Sequence, residues 1–255
     1  MGFPRPSRAV LLVGVAAALA LATTTGIEAA SATVVPAKTT VSAPQLQVLT
    51  IGDSIMNGFG LSDGQDWPTL LGKAENWHVT NLACDGAGVL QIGVATECDS
   101  DFAGVISAAA SLHPDIVIFQ GSSNDFGIDN DDLLAATIAE VKLIHTEFPN
   151  AQIVGLSMLW GYTAVPVQAA DIDSQVKQAV EAVGGTYLDL GQPMSGHPEL
   201  MQASDVHPTA AGQAVIEAEI QKDLQPVTTE ATAQAKAEAE RVALLAERVK
   251  LELVQ

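Results

Sequence analysis

The chain has 255 residues, 48% of them hydrophobic and 16% charged, which is enough apolar material for one substantial core and too much for a disordered chain. Eleven Lys and Arg against 30 Asp and Glu leave a net charge of −19, so polyphosphates and anionic membrane surfaces are repelled and nucleic acid is excluded as a partner. Two cysteines are too few for a disulfide-scaffold miniprotein or a four-cysteine zinc site, though they suffice for one bridge in an oxidising compartment.

The first 32 residues carry the marks of a secretory signal peptide. Arg5 and Arg8 precede an apolar stretch from Ala9 to Ala22, and Ala30-Ser31-Ala32 supplies small residues for cleavage. That stretch falls short of the roughly 20 residues a spanning helix needs, and no cysteine follows it to take a lipid anchor. The expectation is an exported protein, in the medium or the cell envelope, with no stable membrane anchor. Residues 33–44, rich in Thr, Val, Ala and Pro without a period, are expected to form a flexible leader.

From residue 45 to 225 short β-rich runs alternate with longer stretches of helical period. Gln47–Ile51, His78–Leu82, Asp115–Phe119, Gln152–Leu156 and Thr186–Leu188 are predicted strands, several apolar on consecutive residues as strands covered on both faces must be. Asp131 and Asp132 can cap a helix carrying Leu134, Ile138 and Val141 on one face. A second helix is predicted from Asp171 to Val183, ended by Gly184-Gly185. The alternation predicts an α/β domain, a five-stranded parallel sheet with helices on both sides, whose ligands bind at the carboxyl ends of the strands. After Pro226 the chain becomes Ala, Glu, Lys, Arg and Leu without Gly or further Pro, so residues 226–255 are expected to form a separate helix that begins at the proline break. Its Val242, Leu245 and Val249 give a short apolar stripe, read as a solvated helix folded back on the domain, with a helix-mediated partner through residues 228–255 as the lesser reading.

Loops at those strand ends, with the segment that opens the last helix of the domain, hold the residues suited to chemistry. A serine is a weak nucleophile until a base takes its proton, and Ser54 follows a Gly-Asp turn at the first strand end, where a helix N-cap is the competing role. Asn124 can offer a side-chain amide to an oxyanion, and Gly86 a backbone N–H where a side chain would block approach. Among the five histidines His197 and His207 both precede prolines, and His207 has Asp205 close by and opens the last helix of the domain. No Gly-x-Ser-x-Gly elbow exists in the chain, which argues against the α/β-hydrolase version of this chemistry.

Gly52-Asp53-Ser54, Gly86, the Gly121-to-Asp125 segment with Asn124, and His207-Pro208 resemble, in that order and spacing, the four blocks of the SGNH or GDSL family of esterases and lipases. The resemblance runs from about Gln47 to Leu224 and is nearest to the bacterial extracytoplasmic thioesterase and lysophospholipase branch, including Trp67-Pro68 after the first block. It implies a flavodoxin-like α/β/α sandwich. It also implies Ser54 as nucleophile, His207 as general base, and an oxyanion hole made of the Ser54 and Gly86 N–H groups and the Asn124 side chain. The substrate would be a small-molecule acyl ester, a thioester or an acylated glycan, handled without cofactor or metal.

One position departs from the family pattern. The orienting aspartate is expected three residues before the histidine, where Ser204 stands, and Asp205 is two before. Asp205 with a shifted register, Ser204 or a backbone carbonyl as orienter, and a catalytically weakened binding protein all remain open on the sequence. Cys84 and Cys98 flank the Gly86 segment, and export favours their union in a disulfide. Asp129, Asp131 and Asp132 lack the glycine of a calcium loop and are better read as capping residues, and Gly58, Gly60 and Gly64 miss the dinucleotide spacing by one residue. Trp160, Gly161 and Tyr162 follow the fourth strand, where they can either rim a pocket or simply pack.

Overall fold

A computed structural model describes residues 45–203 and 206–253. The expected signal peptide and leader, and the Ser204-Asp205 pair, lie outside the described residues. Five parallel strands, β1 (Gln47–Ile51), β2 (His78–Asn81), β3 (Ile116–Gln120), β4 (Gln152–Leu156) and β5 (Thr186–Leu188), form one sheet in the order β2-β1-β3-β4-β5. Six α-helices accompany them among the described residues: α1 (Ser54–Asn57), α2 (Trp67–Glu75), α3 (Phe102–Ala108), α4 (Asn130–Glu147), α5 (Gln168–Ala182) and α6 (Ala210–Leu253). This is the flavodoxin-like three-layer sandwich that the sequence led us to expect.

The strands are apolar on successive residues because helices cover both faces. Leu49, Ile51, Val117, Phe119 and Ile153 point into a core completed by Phe102 and Ile106 of α3, Leu133, Val141 and Ile144 of α4, and Ile172, Val176 and Val180 of α5. Their neighbours Val48, Ile116, Ile118, Val154 and Leu156 point the other way, against Ile55 and Met56 of α1, Trp67 and Leu71 of α2, and the first half of α6. Every residue of β3 is buried, as the central strand of a covered sheet must be.

Helix α6 differs from the expectation of a break at Pro226. It runs unbroken from Ala210 to Leu253 with Pro226 inside it. The proline removes one backbone donor and tends to break a helix. Here Ile216, Ile220, Leu224, Val227 and Ala231 continue one buried stripe across it, and that tertiary packing holds the turns together. Ala235 is the last described residue packed against this core; Glu238 and Arg241 on the next turns still line a surface cleft with Asp115, Asn150 and Gln152, and beyond them Val242, Leu244, Leu245 and Val249 are all at least half exposed. No described helix is long and apolar enough to cross a membrane.

Smaller differences follow from capping. The carboxylate of Asp129, rather than Asp131 or Asp132, caps α4 by accepting the Asp131 N–H at 2.9 Å. Helix α5 starts at Gln168, ahead of the expected Asp171, whose carboxylate instead accepts from the Asn130 side chain at 2.9 Å and joins α5 to α4.

The strand order has one topological switch. From β1 the chain moves to β2 on one side, and from β3 to β4 on the other, so the carboxyl ends of β1 and β3 border a crevice that no crossover fills. The loops that leave β1 and β3 carry Ser54 and Asn124.

Candidate active site

At the exit of β1, Asp53 is the N-cap of α1 and its Oδ1 accepts the Ile55 N–H at 2.9 Å. Ser54 is therefore the first residue of the helix rather than its cap, which settles the competing role for this serine. Its hydroxyl lies 3.0 Å from His207 Nε2. Its own N–H belongs to the first turn, where an α-helix supplies no acceptor.

Ser122 ties the β1 and β3 exits together. Its hydroxyl donates to Asp53 Oδ2 at 2.7 Å and accepts the Asn124 N–H at 3.0 Å. One N–H of the Asn124 amide donates to the Ala87 carbonyl at 2.9 Å, which leaves the amide its second N–H, and the residue borders the crevice. The following residue, Asp125, accepts the Val89 and Leu90 N–H groups at 2.8 and 3.0 Å. The loop after β2 is thus laced to the end of β3 through Ala87, Val89 and Leu90. Gly88 is needed there for close approach, since a Cβ would stand 2.6 Å from the Asp125 carboxylate oxygens.

Gly86 adopts φ +75°, a left-handed conformation that side-chain-bearing residues rarely take. The surrounding segment is closed by the Cys84–Cys98 disulfide, with Cα atoms 6.2 Å apart, and by the Val94 N–H donating to the Asp85 carbonyl at 2.8 Å. Asp85 in turn accepts from the Asn57 side chain at 2.9 Å.

His207 arrives on a short return segment before α6. Its carbonyl accepts the Gln202 N–H at 2.8 Å, Met201 and Pro208 form an antiparallel bridge, and its ring lies against Phe59 with centroids 4.5 Å apart. The Gln202 side chain donates to the Phe59 carbonyl at 2.7 Å, fixing the two ring-bearing segments to one another. Deeper in, Gln213 of α6 accepts the Trp67 N–H at 2.9 Å and donates to the Ile55 carbonyl at 2.8 Å, which locks α6 onto α1 and α2.

These residues enclose a cleft of about 400 Å³ lined by Ser54, Gly86, Asn124 and His207, with Phe59, Val94, Phe126 and Trp160 as its apolar walls. Two carboxyls, Asp53 and Asp125, are buried outside its lining. Burial pushes the Asp53 carboxyl above its ordinary range against the hydrogen bonds from Ser122 and Ile55, with Asp125 and Asp85 adding repulsion. Burial raises Asp125 in the same way, against its backbone hydrogen bonds. Each carboxylate has a structural task here, since one caps a helix and the other anchors a loop.

Ser54, Gly86, Asn124 and His207, separated by up to 153 residues in sequence, thus share one cleft. Trp160 lines it and pairs with Phe126 at 5.5 Å, whereas Tyr162 packs against the core on the α6 side. His197 lies elsewhere, exposed, with Nδ1 2.9 Å from Glu199, and that pairing holds the Glu199 carboxyl below its ordinary range. Gly58 is the left-handed C-cap of α1, and Gly60 and Gly64 also take positive φ in the turn that follows. The sequence reading passed over Asp53, Ser122, Asp125, Phe59 and Gln202. Asp53 and Asp125 stand inside the very segments singled out, but an acid next to a candidate nucleophile has no one-dimensional mark of being a cap or an anchor.

A parallel α/β sandwich with a serine, a histidine and an asparagine gathered at its switch point defines an SGNH-type ester hydrolase. Residues 50–215 match the GDSL-like Lipase/Acylhydrolase family, and the chain belongs to it. A GDSL lipase of Mycobacterium tuberculosis is 28% identical over 182 residues, 65% of this chain and 75% of that protein. Among solved structures, the psychrotrophic esterase EstA of Pseudoalteromonas superposes with a TM-score of 0.58 at 18% identity, covering 72% of this chain and all of that one. The salicylyl-acyltransferase SsfX3 of a tetracycline biosynthetic pathway gives 0.58 at 19% identity, covering 73% of this chain. This chain spans 56% of the acyltransferase's length, and both structural likenesses concern the fold.

Proposed function

We propose that the protein is an exported serine hydrolase that cleaves acyl esters or thioesters through an acyl-enzyme on Ser54. The observation that carries the reading is the 3.0 Å approach of His207 Nε2 to the Ser54 hydroxyl inside an apolar-walled cleft. On this reading Nε2 takes the hydroxyl proton as Oγ attacks the substrate carbonyl. The resulting oxyanion is stabilised by the Ser54 N–H, the Gly86 N–H and the remaining N–H of the Asn124 amide. The imidazolium returns its proton to the departing alcohol or thiol, leaving the acyl group on Oγ. A water then gives its proton to Nε2 as it attacks the acyl-enzyme, and the acid leaves with Ser54 restored. Asp205 is assigned the role of orienting the imidazole, with Ser204 or a backbone carbonyl as the substitute. The Cys84–Cys98 disulfide supports the exported location, because such bridges persist in oxidising compartments.

A fluorophosphonate tests this without knowledge of the natural substrate, since it needs only an activated hydroxyl and an oxyanion hole. Intact mass spectrometry of residues 33–255 should show one adduct per chain, absent in Ser54→Ala and strongly slowed in His207→Ala. Absence of the adduct on folded, disulfide-bonded wild type would overturn the reading. Slow labelling of Asp205→Asn beside a normal Ser204→Ala would assign the orienting role to Asp205.

A further inference from the structure

A second and larger cavity, about 670 Å³, lies on the far side of the segment that carries Gly86. Leu82, Ala83 and the disulfide form one side of it, and Val105, Ala108 and Leu112 of α3 and its exit form the other. The small alanines make it a trough. Its polar lining residues are Asn57, Glu97, Ser100 and Ser111, none of them cationic. Asn57 belongs to this trough and Asp85 to the cleft of Ser54, and the 2.9 Å hydrogen bond between them is the partition that separates the two spaces. Asn57 is three residues after Ser54 on α1, so the two side chains are helix neighbours with Cβ atoms roughly 5–6 Å apart, a span of a few methylenes.

We infer that this trough is a second subsite that takes the neutral hydrocarbon chain of the substrate, and that the Asn57–Asp85 pair sets how readily a long chain passes into it. The inference rests on the proposed ester hydrolysis at Ser54. An apolar lining with the Glu97 carboxylate and no cation disfavours an anionic headgroup or a free fatty acid and suits an uncharged chain. Adjacency to the cleft decides the occupant: Asn57 lines the trough and its partner Asp85 lines the cleft, so a chain whose ester sits at Ser54 is already held beside the partition. Glu97 also accepts the Asp85 N–H at 2.9 Å, so the partition is tied to the disulfide-closed segment on both the backbone and the side-chain side. The chain can belong to the acyl group or to the alcohol, and the two are separable by substrate series.

The test compares kcat/KM for p-nitrophenyl esters of acetate, octanoate and laurate, kept below their aggregation concentrations, with a parallel series of acetates of ethanol, octanol and dodecanol. Each methylene transferred to apolar surroundings is worth about threefold to fourfold, less in an open trough. Ala108 is exposed, so Ala108→Trp fills the trough without disturbing the core. That variant should lower the long-to-short ratio about tenfold in one of the two series while turnover of p-nitrophenyl acetate and ethyl acetate stays within twofold. Asn57→Ala, which opens the partition, should raise the same ratio at least threefold. Calorimetric binding of 1-decanol to wild type, lost in Ala108→Trp, gives a readout that does not depend on turnover. If the ratios in both series and decanol binding are unaffected by Ala108→Trp, the trough is not a chain subsite. If no ester is turned over at all, the reading of Ser54 fails instead, and decanol binding alone then decides the trough.

Discussion

Replacing both cysteines by alanine separates the stability contributed by the disulfide from any contribution to catalysis. The bridge closes a loop with a sequence separation of 14, and cross-linking a loop of that size removes unfolded-chain entropy worth about 3 kcal/mol at 25 °C. For a domain of this size that corresponds to a Tm lower by ~6–12 °C. Catalysis should suffer less. The segment keeps its anchors in the folded state: Val89 and Leu90 on Asp125, Val94 on Asp85, and the Gly93 N–H on the Ser100 carbonyl at 2.8 Å. Gly86 and Ala87 therefore stay seated, and kcat/KM at 25 °C should fall less than about tenfold, short of the 10²–10³ expected from loss of an oxyanion donor. Guanidinium titration by circular dichroism, with ester hydrolysis measured on the same samples, reads both quantities. A stability loss under about 1 kcal/mol would refute the loop-closure argument. A hundredfold loss of turnover in a fully folded variant would refute the claim that hydrogen bonds alone hold the proposed oxyanion segment.

Asn124→Ala should reduce kcat/KM by roughly 10²–10³ with a stability change near 1 kcal/mol, since the side chain makes one hydrogen bond to Ala87, as steady-state kinetics beside thermal melts would show. Glu140, buried beneath α3 with one carboxylate oxygen unpartnered, has its pKa pushed up to about 9 by burial and by repulsion from Asp101 and Asp125. The folded state therefore holds a proton that the unfolded chain releases above its ordinary value of 4.5, so this group makes stability fall as pH rises from about 4.5 to 9. Glu140→Gln should flatten that fall and stabilise the protein by roughly 1–3 kcal/mol at pH 8, a reversal of which in pH-dependent melts would refute the assignment. Leu224→Ala, in the buried stripe before Pro226, should cost about 2–4 kcal/mol, whereas ending the chain after Ala235 should leave Tm within about 2 °C, and equal effects of the two would show that the exposed part of α6 is packed after all.

The sheet was legible because its strands carry a burden that shows in one dimension. Ile116 to Phe119 has no polar residue to spare for solvent, and the Gly-Asp-Ser and Gly-Ser-Ser-Asn-Asp segments stand at the ends of such runs, where chain direction and topology already place ligands. The ties between the loops were not legible. Nothing in Asp125 announces that it will receive two N–H groups from residues 35 and 36 positions away, and Gln213 meets Trp67 and Ile55 only after α6 has packed. Helix α3 escaped notice because seven residues with a glycine among them, Phe-Ala-Gly-Val-Ile-Ser-Ala, give too short a period to read. The continuous α6 escaped for the opposite reason: a strong local signal, Pro226, was overridden by a buried stripe whose partners lie on the sheet and on α2.

The order of two adjacent side chains at the start of α1 has a chemical consequence. An oxygen that accepts a backbone N–H has lent out a lone pair, and an oxygen so occupied is a poorer attacker of a carbonyl carbon. Because Asp53 receives the Ile55 N–H, the lone pairs of the neighbouring hydroxyl carry no such debt to the helix. Exchange the two, so that serine comes first and aspartate second, and the helix would start as well as before, since both residue types cap. The imidazole of His207 would then face a carboxylate, and on the proposed mechanism the meeting of base and alcohol would become an ion pair with no proton to move. Two sequences of identical composition and nearly identical fold would differ by the whole of the proposed reaction.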